Sequence, residues 1–123
     1  MDINLISIND FNIAEIVSNI IEINNAQDAL DILANCAYQD ARRIVMYQEN
    51  ITEDFFDLKT TLAGDILQKF SNYNVKLAIV GDFSKYSSKS LRDFIYESNK
   101  ATRISFVATK EEAIDALSKG IRV

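Results

Sequence analysis

The run Leu77-Ala78-Ile79-Val80-Gly81 decides the fold. Four apolar residues in succession, closed by a glycine, read as a buried core strand and are too few for a helix. Upstream lies a helical pattern: Phe55, Leu58, Leu62, Ile66 and Phe70 recur three or four residues apart, with Phe56, Ala63 and Leu67 widening the stripe. Thr52 stands before Glu53 and Asp54, a capping hydroxyl followed by acids where a helix's positive end favours them. This spacing predicts a helix over 53–72, ended by Ser71 to Asn74. Gly64 inside it costs about 1 kcal/mol against Ala and suggests close packing. Downstream, a Ser-rich loop leads into Leu91, Phe94 and Ile95, a helix running to about Asn99, with Ser90 as N-cap and Asp93 completing a capping box. A buried strand between two helices is the repeating unit of a parallel sheet.

Working outward, Ile44-Val45-Met46-Tyr47 after Arg42-Arg43 reads as a second buried strand, and Ile104 to Ala108 as a third. Ala29, Leu30, Leu33 and Ala37 have helical spacing, and Asn25 with Asp28 resembles a capping box, so residues 26–39 form an amphipathic helix. Thr109 with Glu112 is a capping box for the last helix, which Lys119-Gly120 would end. At the start, residues 3–8 and Phe11 to Val17 are β-rich on either side of Asn9-Asp10, the signature of a hairpin. The order β-β-α-β-α-β-α-β-α implies a single α/β domain, residues 1–123. Its sheet is mainly parallel, with an antiparallel N-terminal hairpin.

Two resemblances accompany this reading. Asp54-Phe55-Phe56-Asp57-Leu58-Lys59-Thr60, Gln68-Lys69-Phe70-Ser71-Asn72-Tyr73 and Lys89-Ser90-Leu91-Arg92-Asp93-Phe94-Ile95-Tyr96-Glu97-Ser98-Asn99 resemble an uncharacterised bacterial family known as domain of unknown function 4180. The element order is similar to that of STAS domains, found in sulphate transporters and anti-sigma factor antagonists. That second likeness implies a STAS-like fold and a regulatory, partner-binding role. In the antagonists a phosphorylatable Ser opens the helix after the third strand. Here the position falls in Asn50-Ile51-Thr52-Glu53-Asp54, where Thr52 is the only hydroxyl and two carboxylates adjoin it. A phosphate there would gain from the helix terminus and be repelled by those acids.

Composition narrows the chemistry. The 123 residues include no His, no Pro and no Trp, and a single Cys. Ser-His and Cys-His nucleophiles, zinc-histidine sites, internal disulfides and redox pairs are thereby excluded. The lone Cys36, among Ile32, Leu33 and Ala37, reads as a small buried hydrophobe in a reducing, cytoplasmic protein. No apolar run reaches the length of a membrane span, and no leader is expected. The net charge of −5 divides into −7 over residues 1–41, which hold seven acids and no Lys or Arg, and +2 over the rest. Such a balance disfavours nucleic acid, and Arg42, Arg43, Lys100 and Arg103 are too sparse to reverse it.

The segment from Gly81 to Arg92 is the best candidate site, because it leaves the carboxyl end of a buried strand and enters a helix. Lys85, Ser88, Lys89, Ser90 and Arg92, with the free amides of the helix start, could hold an anion or a phosphorylated metabolite. The glycine spacing is not that of a P-loop. Phe55, Phe56, Phe70 and Tyr73 could line an apolar pocket but are expected in the core. No metal or cofactor is expected. The leading expectation is a non-catalytic cytoplasmic regulatory or interaction module with a protein partner, self-association left open. It would use the helix at 53–72 and the loop at 81–90; the anion-binding module is the alternative, and an enzyme drawing on Asp82, Lys85, Tyr86 and Ser90 is the third reading.

Overall fold

The computed structural model of the chain describes residues 1–118. Strands β1 (Asp2–Ile8) and β2 (Phe11–Val17) form the expected hairpin, with Asn9 and Asp10 both at positive φ (47° and 68°), the geometry of a two-residue turn whose twist suits the strands. Then follow α1 (Ala26–Tyr38), β3 (Ala41–Tyr47), α2 (Leu62–Asn72), β4 (Lys76–Val80), α3 (Lys89–Ala101), β5 (Ile104–Val107) and α4 (Lys110–Ser118). The sheet runs in chain order, β1-β2-β3-β4-β5, antiparallel at β1–β2 and parallel elsewhere.

Strand side chains alternate between two layers. Ala14, Ile16, Ile44, Met46, Leu77, Ile79, Ile104 and Phe106 face α1, α2 and α3 in the main core, together with Ile32, Leu33, Ile66, Phe70 and Leu91. Their alternates Ile13, Val45, Ala78 and Val80 face α4 through Ala113 and Leu117. Right-handed crossovers between neighbouring parallel strands place successive helices on one side, and only α4, which makes no crossover, takes the other. No described helix is long and apolar enough to cross a membrane.

The helix ends carry a shared device. Asp40, Asn74 and Thr102 adopt left-handed backbone (φ 61°, 55° and 67°) just after α1, α2 and α3, turning the chain into the next strand. At Asp40 and Asn74 the conformation falls to residues that tolerate it better than most, whereas at Thr102 a β-branched residue adopts it against its preference. The N-caps match for α1, where Asn25 accepts from the Asp28 amide (2.8 Å), and for α4, where Thr109 accepts from the Glu112 amide (3.1 Å). In α1 the return bond goes one residue further back, from the Asn24 amide to Asp28 (2.9 Å).

Several expectations are corrected. The stretch 53–72 is not one helix: a 3-10 turn at Glu53–Phe56 and another at Leu58–Thr60 precede α2, which starts at Leu62. The adjacent Phe55 and Phe56 are both buried, packed edge to face (centroids 5.0 Å, planes 66° apart). The Thr60 hydroxyl donates to the Asp54 and Asp57 carbonyls, and Thr61 is left-handed (φ 63°), so the chain breaks there. Gly64 is exposed, and a Cβ on it would meet nothing within 4 Å, so no close packing explains it. Tyr73 is about half exposed rather than in the core, whereas Phe55, Phe56, Phe70 and Cys36 are buried. The proposed end of the last helix at Lys119-Gly120 lies outside the described residues.

Candidate functional site

The parallel strands β3, β4 and β5 end together at Tyr47, Val80 and Val107, and the chain continues from each into a polar loop. Gly81 is the pivot of this edge. Its amide donates to the Val107 carbonyl (3.0 Å), extending the β4–β5 pairing. A Cβ here would lie 2.6 Å from Gln48 Cβ and 2.3 Å from Gln48 Oε1, so only glycine lets Gln48 lie across the end of β4. Gln48 Oε1 in turn accepts from the Asp82 amide (3.0 Å), and its Nε2 donates to the Tyr86 hydroxyl (3.1 Å).

That hydroxyl donates onward to Glu53 Oε2 (2.8 Å), and Lys85 Nζ reaches Glu53 Oε1 (3.4 Å). The Tyr86 ring stacks on Phe56 (centroids 5.1 Å, planes 14° apart), and Phe83 lies 5.9 Å from the same ring. Burial and then the Glu53 carboxylate push the Tyr86 phenol above its ordinary pKa. Asp82 accepts from the Ser84 hydroxyl (2.6 Å) and amide (3.0 Å), which hold its carboxyl below the usual range. The loop is thus braced against the 3-10 turn at 53–56 by an aromatic stack and a chain of four polar groups.

Beside Gly81 the surface opens into a cavity of about 630 Å³, lined by Asp82, Phe83, Phe106, Val107, Ala108 and Glu112. A smaller cleft of about 260 Å³ lies on its other side, against Tyr47, Gln48 and Glu49. The charges lining both are carboxylates. The cations expected to hold an anion sit elsewhere. Lys85 pairs with Glu53, and Lys89 pairs with Asp93 one turn on (2.8 Å). Ser88, not Ser90, caps α3 by accepting from the Leu91 amide (3.2 Å), because the helix opens at Lys89. Ser90 and Arg92 project from the exposed first turn of α3. Thr52 accepts from the Asp54 amide (3.4 Å) and opens only the four-residue 3-10 turn, so the α-helix terminus expected to steady a phosphate there is absent.

A second polar cluster, not foreseen from sequence, lies on the α4 side of the sheet. Glu15, in the middle of β2, is 6% exposed. Its Oε1 accepts from Asn4 Nδ2 (3.0 Å) and Lys110 Nζ (3.1 Å), and its Oε2 from the Tyr47 hydroxyl (2.6 Å). Burial raises the Glu15 carboxyl's pKa, but Asn4, Tyr47 and Lys110 together bring it below the ordinary value. Tyr47 is pushed up to about 12 by burial and by Glu15. The strand pattern held the signal: Glu15 stands two residues from Ile13 and so shares its face, which packs under α4, and its side chain had to turn inward too. Lys110 ties the start of α4 to β2. At its other end Arg43, stacked over Phe11 (4.8 Å), donates to the Leu117 carbonyl (2.8 Å).

Among the described residues no three His, Cys, Asp or Glu side chains are grouped to hold a metal ion. Cys36 is fully buried and its thiol is pushed up to about 11, so it is no nucleophile at neutral pH. No curated protein matches the chain. The family model described as "Domain of unknown function (DUF4180)" matches residues 8–117, from the end of β1 into the last turn of α4, and the chain belongs to that family.

Proposed function

We propose that this domain is a non-catalytic regulatory module that binds a protein partner. The docking surface is the platform formed by residues 48–62 and 81–90 at the carboxyl ends of β3 and β4. The observation that carries this reading is the bracing of Tyr86, Glu53, Lys85 and Gln48 over the Phe56 ring. A loop already held in one conformation loses little entropy on docking, which favours recognition by a shaped surface. The likeness of the element order to STAS domains, whose partners meet the same end of the sheet, points the same way. The buried, unpaired Cys36 suits a reducing, cytoplasmic setting.

Site-specific photo-crosslinking in the native cell tests it. A crosslinker at exposed Ser87 is expected to trap one protein species, and one at exposed Gln68 to trap none. Charge reversal by Lys85→Glu should abolish the Ser87 adduct while the circular dichroism spectrum stays unchanged. Equal labelling from Ser87 and Gln68, or none from either, overturns the proposal.

A further inference from the structure

The two edges of the sheet are treated differently. At β5 the side chain of Asn99, from α3, accepts from the Phe106 amide (2.7 Å) and donates to the Phe106 carbonyl (3.3 Å), occupying the outer backbone groups of a four-residue strand. The β1 edge has no such cover among the described residues. In a two-residue hairpin the pair closing the turn exchanges both hydrogen bonds, so Ile8, Ile6, Asn4 and Asp2 point their backbone groups at β2. The alternate residues Ile3, Leu5 and Ser7 point theirs outward, and nothing else among the described residues bonds to them. β1 is seven residues long and pairs with β2 without a bulge, and it holds neither Lys nor Pro, so the usual edge-blunting devices are missing.

We infer that β1 is a docking edge for an extended, basic segment of another protein, added as a sixth strand. This stands apart from the platform at Gly81 and does not depend on it. Charge and apolar surface define the occupant. Residues 1–41 carry seven acids and no Lys or Arg, and exposed Asp2 and Asp10 flank the strand without an ion pair among the described residues. Met1, Leu5, Val17, Ile20 and Ile21 are exposed, five of the eight large apolar side chains exposed in the described part of the molecule. An incoming strand with aliphatic residues beside Ile3 and Leu5, and Lys or Arg at the intervening and end positions, satisfies backbone, apolar and acidic groups together. A second copy of this chain would set two acidic surfaces against each other. A contact limited to one strand of about 20 Å would also bury far less than the ~800 Å² per partner of a stable dimer.

The test uses the full chain, isotope-labelled, and a capped peptide of about nine residues alternating Lys with Val or Ile. Titration is expected to shift the amides of Ile3, Leu5 and Ser7 and slow their hydrogen exchange. Affinity should fall about tenfold or more when every Lys is replaced by Glu, and weaken as salt rises. Leu5→Pro removes an outward amide without touching the β2 pairing and should abolish binding. If that variant does not fold, Asp2→Lys with Asp10→Asn, which keeps a residue suited to the left-handed turn position, should weaken binding several-fold on an unchanged fold. Absence of binding, shifts confined to other elements, equal affinity for the acidic peptide, or sedimentation as a β1-paired dimer would each overturn the inference. So would slow exchange of the Leu5 amide in the free monomer, which would mean the edge is already occupied.

Discussion

Replacing Glu15 with Gln is the sharpest probe of the cluster beneath α4. The carboxylate offers two acceptor oxygens to three donors, Asn4, Lys110 and Tyr47. The amide offers one oxygen: if it stays on Asn4 and Lys110, the NH2 group turns to the Tyr47 hydroxyl, which must accept instead of donate. In the flipped orientation the NH2 group faces two donors, and in both the Lys110 ion pair and the charge assistance of the other bonds are lost. A hydrogen bond to a charged group is worth about 1.5–3 kcal/mol, and relief of the carboxylate's desolvation offsets part of the loss. The expected destabilisation at pH 7 is therefore about 2 kcal/mol. In urea that lowers the midpoint by about 1 M, and in heat by about 8 °C for a domain of this size. The pH dependence gives the decisive reading. The folded Glu15 pKa lies below its unfolded value of 4.5, so its stabilisation is complete above pH 4.5 and is lost as pH falls through the folded pKa. The gap between wild type and variant should be full at neutral pH and close under acid, followed by urea unfolding with circular dichroism across the range. Equal stability at pH 7, or a gap that persists or widens in acid, refutes the reasoning.

Four further outcomes are expected. Gly64→Ala should stabilise α2 by about 0.5–1 kcal/mol, read by thermal melting, because the added methyl meets open space. Gly81→Ala should destabilise by about 1–3 kcal/mol and displace Gln48, visible as loss of protection at the Asp82 amide. Asn50→Ala removes the bonds from Asn50 Nδ2 to the Ser18 and Ile20 carbonyls (2.9 Å each), which should cost about 2 kcal/mol and speed exchange at the Glu22 and Ile23 amides. Cys36 should resist iodoacetamide in the native protein at neutral pH and react only on unfolding, as followed by mass spectrometry.

The element order was legible because each element carries its own local signal. Leu77 to Val80 is apolar throughout, Asn9-Asp10 has turn chemistry, and Asn25 and Thr109 are capping residues with an acid three positions on. The break between Thr52 and Leu62 was hidden because it depends on contacts that periodicity does not encode. Phe55 and Phe56 bury together, and the Thr60 hydroxyl takes two carbonyls from residues three and six positions earlier. The shift of the α3 cap from Ser90 to Ser88 is a contest among neighbouring hydroxyls, each with the chemistry of a cap, which sequence alone does not rank. The polar loop at 81–92 was correctly placed at the carboxyl end of β4. Which of its charges stay free was not legible, since Glu53 approaches from a segment more than thirty residues away. Glu15 was missed for a related reason: its partners come from β1, β3 and α4, and only the folded sheet brings them to one point.

The running order of the sheet also bears on how the chain comes off the ribosome. Every strand pairs with the strand made just before it, and α1 to α3 close one layer as they appear. Synthesis can therefore lay the sheet down strand by strand, with each closure local in sequence. The layer under α4 has a different history. Ile13, Val45, Ala78 and Val80 wait uncovered until the last described helix emerges to seal them. A nascent chain stalled before Lys110 would display a half-finished sheet, apolar on one side and bearing a Glu15 carboxylate that still lacks its cation, the sort of surface that chaperones hold and proteases find.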